Sequence, residues 1–292
     1  MAIGGMGSHC IALTRHQNTC KGMIYLKYVV CYSGGHSSAL AAIETVRKYG
    51  KDNVILLNHN ISSKVEHEDI KRFKQEVSNY LGVPITYANY PDYEDYPPLE
   101  INKRYGMIHF SAGFAICTHY LKTKPFHDWL DANWSENKDH ITVIYGFDAD
   151  EDNRINRRTD IMRAMGYKTD YPLARWERTI HSTEEIGISP PITYKIFKHA
   201  NCIGCLKAGR QHWYAVYCMR RDIFDEAKAV EEAIGHSIIK GTYLKDLEPK
   251  FEDMLNNLHI CCNEHTNAAR FWADVEATLP EQCCLIPCDC SF

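Results

Sequence analysis

The feature that most constrains the fold is a mainly apolar run that passes through two glycines into a helix-forming stretch. The run spans residues 23–31. It is followed by Ser33, Gly34 and Gly35, and helix-forming residues then continue to Lys48. This order indicates a buried strand, a tight turn and the N-terminus of a helix. The glycines let a ligand approach the backbone, and the unpaired amides and positive dipole end of the new helix suit a phosphate.

The loop differs from two common nucleotide-binding motifs. It has no Gly-Lys-Ser/Thr ending, so it is not a Walker loop, and the chain lacks a G-x-G-x-x-G dinucleotide fingerprint here. Ser33, Ser37 and Ser38 add hydroxyl donors to the turn. On these residues alone, a plain turn with Ser37 as an ordinary helix cap remains an alternative to a phosphate site.

Further apolar runs repeat the strand-and-helix pattern along the chain. They predict strands at residues 53–58, 83–87, 141–146 and 169–173, and helices at residues 66–81, 124–133, 214–232 and 247–258. The strand–helix alternation implies right-handed crossovers and an α/β fold with a doubly wound, mostly parallel sheet. We predict an N-terminal arm (1–22), a nucleotide-binding domain (23–195) and a cysteine-rich, mainly helical C-terminal region (196–292).

Charge and cysteine content narrow the class of protein. The formal net charge is −4, which does not indicate a general nucleic-acid binder. No apolar stretch approaches a membrane span, and no charged region with an apolar core marks a signal peptide, so we expect no membrane partner. Thirteen cysteines in such a chain favour thiol chemistry or metal binding in a reducing, cytoplasmic compartment over a disulfide framework.

The glycine loop also carries a family resemblance. The stretch from Ser33 to Ser38, Ser-Gly-Gly-His-Ser-Ser, resembles the S-G-G-x-D-S pyrophosphate loop of the PP-loop (adenine nucleotide alpha-hydrolase-like, Rossmann-like) enzymes. That superfamily includes the N-type ATP pyrophosphatases and the PAPS reductases. Ser37 stands where many members have Asp, so it supplies no carboxylate for Mg²⁺. His36 stands where many have Lys, and a histidine is only partly charged at neutral pH.

Three later segments resemble PAPS-reductase-like proteins in the same order. They are C-x-x-x-L-K-x-x-P from Cys117 to Pro125, G-x-x-x-x-E-x-x-R-x-x-R from Gly146 to Arg157, with Arg158 next to it, and Pro172-Leu173 with Trp176. The resemblance implies that the 33–38 loop binds phosphate and that Asn58 and His59 hold adenine and ribose.

It further implies that Cys117 and Lys122 bring a thiol and a cation near the nucleotide, and that Gly146 and Glu151 help to bind the nucleotide. Glu151, Arg154 and Arg158 share one helical face, where guanidinium forks match a phosphate or sulfate. Two alternatives stay open. The charged face could be an ordinary solvated surface, and Cys117 a small buried hydrophobe.

The C-terminal region contains the one C-x-x-C motif of the chain, Cys202 and Cys205. This spacing suits two thiolates on one metal, although a redox pair has the same spacing. Some sulfur-transferring PP-loop enzymes combine a core cysteine with a C-x-x-C to hold an iron–sulfur cluster with one open iron. The resemblance therefore implies a cluster on Cys117, Cys202 and Cys205, with Zn²⁺ as the alternative, although those enzymes often have the C-x-x-C first.

The resemblance implies an enzyme that cleaves ATP with Mg²⁺ to AMP and pyrophosphate, adenylating an acceptor whose AMP a sulfur donor then displaces. The acceptor is left open between tRNA, another nucleic acid and a small molecule, and a homo-oligomer is left open too. One alternative is reduction of PAPS to sulfite and PAP by a thiol reductant, although residues 281–285 only faintly resemble the nucleophile motif of those reductases. Another is a degenerate nucleotide-binding regulator, which Ser37 favours.

Overall fold

The fold is built on a parallel β-sheet. The computed structural model describes residues 26–109, 114–199 and 202–278. In this part of the chain, five strands pair in parallel in the order β3-β2-β1-β4-β5. The strands are β1 (Lys27–Cys31), β2 (Val54–Asn58), β3 (Ile85–Tyr87), β4 (Ile141–Ile144) and β5 (Lys168–Asp170).

Helices follow the strands and fill the C-terminal part of the described chain. Those of the sheet region are α1 (His36–Tyr49), α2 (Glu68–Leu81), α3 (Pro98–Tyr105), α4 (Ile116–Thr118), α5 (Lys124–Trp134), α6 (Asp152–Ala164) and α7 (Pro172–Arg175). A π-helical turn, His119–Thr123, joins α4 to α5. The later helices are α8 (Arg210–Met219), α9 (Arg221–Ile234), α10 (Leu244–Asn256) and α11 (Ala268–Thr278).

Successive side chains of β1 face opposite sides of the sheet, as the pleat of a strand requires. Val30 packs in a buried cluster with residues of α1 and α2, whereas Val29 packs in another with residues of α5 and α6. Helices therefore cover both faces of the sheet, which confirms the predicted α/β fold with a parallel sheet.

The strand order reverses at β1, because the chain passes from β1 outward to β2 and β3 and later returns to place β4 on the other side. In open parallel sheets, ligands bind at the carboxyl ends of the strands beside such a reversal. The 33–38 loop follows β1, and Gly146 lies just beyond β4. A Cβ on Gly146 would lie 2.7 Å from the carbonyl oxygen of Ser37, so the two segments are in direct contact.

Two predicted elements differ from the observed ones. The strand predicted at 169–173 ends at Asp170, because Pro172 starts α7, and proline suits the first turn of a helix and cannot donate to a ladder. The helix predicted at 214–232 is two helices, α8 and α9. They meet at Arg220, whose φ of −141° and ψ of 68° are not helical.

The C-terminal helices pack against earlier parts of the chain. A single buried cluster contains Trp213, Tyr214 and Phe224 together with Leu99 and Ile116. The division of the chain between residues 195 and 196 therefore stays a prediction, and the two sides of it share a hydrophobic core. Within the three described ranges, none of the helices combines the length and the apolar character that crossing a membrane requires.

Candidate functional site

The 33–38 loop ends in the first turn of α1, as the sequence predicts. The first helical hydrogen bond runs from the amide of Ala39 to the carbonyl of Gly35 at 3.1 Å. The amides of Ser37 and Ser38 precede this bond, so they have no carbonyl partner in their own helix. The hydroxyl of Ser38 donates to the Gly35 carbonyl at 2.8 Å and accepts from Ser33 at 3.2 Å. The loop is thus braced by its own serines, with two amides at a helix N-terminus.

The side chain of a buried lysine packs against this loop. Gly34 has a φ of +83°, and a Cβ there would lie 2.7 Å from the aliphatic carbons of Lys74. Lys74 is only 1% exposed, and its Nζ lies 2.8 Å from a Glu66 carboxylate oxygen and 3.3 Å from Asn58 Oδ1. Desolvation lowers the pKa of Lys74.

Sequence reasoning missed Lys74 and Glu66, although a signal was present. Lys74 lies four residues after Ile70 and three before Val77, which places it on the apolar face of α2. A lysine on such a face requires a buried partner. Glu66 lies eight residues earlier, just before α2 begins, and it is the partner that the structure provides.

Asn58 and His59 lie at the carboxyl end of β2 as predicted, and their side chains bond to protein. The Asn58 amide donates to the Tyr32 carbonyl and accepts from Lys74. His59 Nδ1 donates to the Ala88 carbonyl at 3.1 Å, and desolvation lowers the pKa of the ring to about 4. Both side chains hold the edge of the site, and their contact with adenine or ribose stays a prediction.

His36 is a neutral acceptor in this structure. Its Nε2 accepts a hydrogen bond from the Thr183 amide at 3.3 Å, and desolvation lowers the pKa of the ring. Its backbone amide donates to the Tyr194 hydroxyl at 2.9 Å. The side chain therefore joins α1 to the segment after α7 and supplies no positive charge to the loop.

The segment after β4 carries the predicted carboxylate and arginines. Glu151 accepts from the Asp148 amide at 2.9 Å and pairs with Arg154. The guanidinium of Arg154 lies 4.3 Å from the ring centre of Phe147, and that of Arg158 lies 5.3 Å from the ring centre of Tyr145. Arg154 is 63% exposed, so it has room to turn toward an anion.

The main cavity of the described residues encloses about 510 Å³. It brings together five of the predicted site residues, Cys117, Lys122, Arg154, Cys202 and Cys205. These residues come from α4, the π-helical turn, α6 and the loop before α8. The residues of the 33–38 loop lie outside the lining of this cavity.

Thiols and a lysine ammonium influence one another inside the cavity. Desolvation raises the pKa of Cys117 to about 12 and also raises that of Cys202. Interaction with Cys202, and then with Cys205 and Cys117, raises the pKa of Lys122, and Glu66 contributes in the same direction. Glu66 therefore interacts with Lys74, whose aliphatic carbons lie against Gly34, and with Lys122, which lies near the thiols.

The cavity lining is strongly basic although the chain as a whole is acidic. Five lysines and arginines line it, and Glu264 is the one acidic residue among its lining. The five are Lys122, Arg154, Lys198, Lys207 and Arg210. A concave surface of one charge sign concentrates ligands of the opposite sign. The cavity therefore suits an anionic group.

The C-x-x-C turn is held by a histidine that the sequence analysis left without a role. His212 Nε2 accepts from the amides of Gly204 at 3.2 Å and Cys205 at 3.3 Å. The other ring nitrogen lies 2.9 Å from the Glu264 carboxylate, so Nδ1 carries the proton. Gly204 has a φ of +75°, and a Cβ there would lie 2.6 Å from Ile223.

The same thiols were predicted to hold a metal or a cluster. Among residues 26–109, 114–199 and 202–278, no group of three or more His, Cys, Asp or Glu side chains is placed to hold a metal ion. Tetrahedral zinc requires sulfur atoms at about 2.3 Å from the ion, so its ligands must converge closely. An iron–sulfur cluster is likewise held by several Cys thiolates, so a metal or cluster on Cys117, Cys202 and Cys205 stays a prediction.

Seven cysteines lie in the described part of the chain, and all seven are free thiols. Cys10, Cys20 and the cysteines from 283 to 290 lie outside the described residues. Comparison with protein-family models, with curated proteins and with solved structures finds no match to this chain.

Proposed function

We propose that the chain is a PAPS-reductase-like PP-loop enzyme that binds an adenine nucleotide at the 33–38 loop. The observation that carries the proposal is the position of this loop at the reversal of strand order, in contact with the Gly146 segment. Parallel sheets with this order bind nucleotides at that point. The amides of Ser37 and Ser38 and the dipole of α1 supply a site for phosphate oxygens.

The proposed reaction cleaves ATP between its α- and β-phosphates. An oxygen of the acceptor attacks the α-phosphorus, the bond to the bridging oxygen breaks, and pyrophosphate leaves with Mg²⁺. The loop amides stabilise the charge on the leaving pyrophosphate, and Arg154 or Arg158 stabilises the transferred phosphate, because fixed donors act on charge as it develops. The products are pyrophosphate and an adenylated acceptor.

The main cavity, whose lining includes Cys117, Cys202 and Cys205 and which we call the thiol cavity, supports a sulfur-transfer step after adenylation. A sulfur nucleophile would attack the acceptor carbon that carries the adenylated oxygen. The bond between that carbon and the oxygen would break, and AMP would leave. Lys122 lies among Cys117, Cys202 and Cys205, where its charge stabilises an anionic sulfur. The basic lining fits an anionic acceptor such as a nucleic acid or a phosphorylated small molecule.

We propose an iron–sulfur cluster as the cofactor of these thiols. Cys117, Cys202 and Cys205 would hold it, and when bound it would supply an iron with an open position for the sulfur that is transferred. The chain's own residues would orient the ligands, since His212 fixes the backbone of the C-x-x-C turn. Anaerobic reconstitution with iron and sulfide should give visible absorption in the wild type and not in a Cys202→Ser, Cys205→Ser variant.

Reduction of PAPS to sulfite and PAP is the second candidate. The same cavity favours it, because a thiol and basic residues lie together where a sulfate group would bind. A thiolate would attack the sulfur of PAPS and release PAP, and a thiol reductant would then release sulfite. The desolvated Cys117, whose pKa is raised to about 12, is a poor nucleophile unless a ligand changes its surroundings.

A product assay distinguishes these reactions. The protein is incubated anaerobically with Mg²⁺, dithiothreitol and either ATP or PAPS, and the products are identified by mass spectrometry. AMP and pyrophosphate from ATP, formed when water takes the place of the acceptor, support the proposed reaction, whereas ADP and phosphate contradict it. PAP and sulfite from PAPS establish the second candidate instead.

Ser37→Asp tests the degenerate regulator. Bound but intact nucleotide in the wild type, with cleavage only in Ser37→Asp, would show a binding module that lost its magnesium ligand. Cleavage in the wild type would exclude it. Ser33→Asp is the matched control, because it adds the same charge at a loop position where family members carry serine.

A further inference from the structure

The thiol cavity carries positive charge that the described residues leave largely unneutralised. Arg154 pairs with Glu151, and Glu264 pairs with His212 instead of with a basic residue. In the described ranges, the remaining basic residues of the lining form no salt bridge, and they are Lys122, Lys198, Lys207 and Arg210. Like charges that converge on a concave surface attract a ligand of the opposite sign.

The N-terminus of α8 adds backbone donors to the same lining. Its first helical hydrogen bond runs from the Trp213 amide to the Gly209 carbonyl at 3.3 Å, so the amides of residues 210–212 have no carbonyl partner in their own helix. Gly209 supplies no side-chain cap, and a Cβ there would meet no atom within 4 Å beyond its chain neighbours. Space is therefore open beside a helix N-terminus, where phosphate oxygens are favoured.

An aromatic ring lies beside these cations. Trp272 of α11 lines the cavity and is half-buried, and the guanidinium of Arg210 lies 5.0 Å from its ring centre. The Lys250 Nζ lies 5.3 Å from the same ring centre. The neighbouring Phe271 is buried in the core, which anchors this turn of α11. An aromatic ring with cations close to it is the combination by which proteins hold the base and the phosphate of a nucleotide.

We propose that this part of the thiol cavity binds a nucleoside phosphate, and that the acceptor of the proposed reaction belongs to this class. The phosphate would lie between Lys207, Arg210 and the first amides of α8, and the base would stack on Trp272. A volume of about 510 Å³ accommodates a single nucleotide, either free or at an unpaired position of a strand. This assignment rests on the proposed function, because it names the acceptor of that reaction.

Binding of a uridine nucleotide tests this site separately from the 33–38 loop, which is proposed to bind adenine nucleotides. The intact protein is titrated into a labelled single-stranded oligouridylate of about eight nucleotides, and fluorescence anisotropy follows binding at rising salt concentrations. We expect saturable binding that weakens with salt, because phosphate contacts release counterions. Competition by uridine 5′-monophosphate distinguishes the two sources of the ligand. Displacement at similar concentrations indicates a free nucleotide, and much weaker displacement indicates a strand.

Lys207→Glu should weaken this binding about tenfold, because it replaces an exposed cation of the site with an anion. Lys51→Glu makes the same change at an exposed lysine outside the cavity lining, and it should bind like the wild type. Trp272→Leu should weaken binding of the oligouridylate at least about fivefold, because it removes the stacking surface. Circular dichroism checks the folding of each variant, and the exposed Lys207 keeps the site testable if Trp272→Leu does not fold.

Three results would overturn the proposal. The wild type could bind neither the oligouridylate nor uridine 5′-monophosphate. Lys207→Glu could bind as tightly as the wild type, which would place the ligand elsewhere. Inorganic phosphate could compete as well as uridine 5′-monophosphate while folded Trp272→Leu binds unchanged, which would show an anion site that holds no base. Loss of ATP binding with oligouridylate binding intact would instead contradict the proposed function and support this site, so the two failures are distinguishable.

Discussion

Gly34 is the residue of the 33–38 loop at which a side chain is least tolerated. Its positive φ disfavours any side chain, and the space above its α-carbon is filled by Lys74. Lys74 is in turn held by Glu66, so it has little freedom to move aside. A methyl group at Gly34 therefore disturbs both the loop and the buried ion pair beneath it.

Gly34→Ala should lower the free energy of unfolding more than Gly50→Ala does. Gly50 has a φ of +80° and a ψ of 147°, a backbone region that side chains rarely adopt, with nothing near its α-carbon, so its substitution costs a backbone term of about 1–3 kcal/mol. Gly34→Ala should cost about 1–3 kcal/mol more because of the contact with Lys74. Urea unfolding of the two variants measures the difference, and equal losses would show that Lys74 yields freely.

His59 should make the protein less stable at mildly acidic pH. Its pKa is lowered from the ordinary 6.5 to about 4 in the folded chain, so the unfolded chain binds more protons between those values. Stability therefore falls as pH drops through this window. Between about pH 7.5 and about pH 5, the wild type should lose about 2 kcal/mol more than His59→Gln loses.

Urea unfolding at the two pH values measures this effect. The exposed His181→Gln serves as the matched control, and it should follow the wild type. A loss that is the same in the wild type and in His59→Gln would mean that the His59 ring is solvated in the folded protein.

At the scale of elements, helix α8 organises the second half of the site. Its first turns place His212 against the C-x-x-C turn, and the same turns hold the 260–266 segment through Gln211 and Tyr214. Glu264 of that segment fixes the His212 ring. The position of Cys205 therefore depends on a segment more than fifty residues later in the chain.

His212→Phe should loosen the C-x-x-C turn. It removes the acceptor of two amides, and leaving buried amides unpaired costs about 1–3 kcal/mol. Cys202 and Cys205 should then react with iodoacetamide several times faster, whereas Cys31, which lies on β1, should react at an unchanged rate. Glu264→Gln keeps an oxygen acceptor for Nδ1 and should have a smaller effect. Unchanged alkylation in His212→Phe would mean that other contacts fix the turn.

The pattern of apolar runs was enough to predict the parallel sheet and the glycine loop, because buried strands and helix starts leave local signals. It did not locate the break at Arg220, which contains no glycine or proline. There, the Arg220 guanidinium bonds the Asp222 carboxylate and the Lys64 carbonyl, and the latter contact spans 156 residues. Long-range partners of this kind leave no local pattern in the sequence.

The same reason separates the predicted from the unpredicted parts of the site. Cys117, Lys122, Cys202 and Cys205 were found by motif, and the structure brings them to one cavity. The support of these residues by Glu66 and His212 depends on packing between distant segments. Sequence spacing indicated which residues carry chemistry but not which residues hold them.

At the scale of the whole molecule, the 33–38 loop and the thiol cavity are neighbouring features of one fold. The loop lies at the reversal of strand order, the cavity lies between the sheet region and the C-terminal helices, and the Lys74–Glu66 pair lies between them. The proposed function requires that an adenine nucleotide bind at the loop. The proposed sulfur transfer in the cavity depends on that binding, because it follows adenylation of the acceptor.

Calorimetric titration of ATP, and separately of PAPS, into the folded protein tests this requirement most directly. We expect saturable binding of ATP to the wild type and to Gly50→Ala. Binding of ATP to Gly34→Ala should be at least tenfold weaker. Circular dichroism at the temperature of the titration establishes that each protein is folded. Absence of ATP and PAPS binding in the wild type, or equal binding in Gly34→Ala, would contradict a nucleotide site at the 33–38 loop.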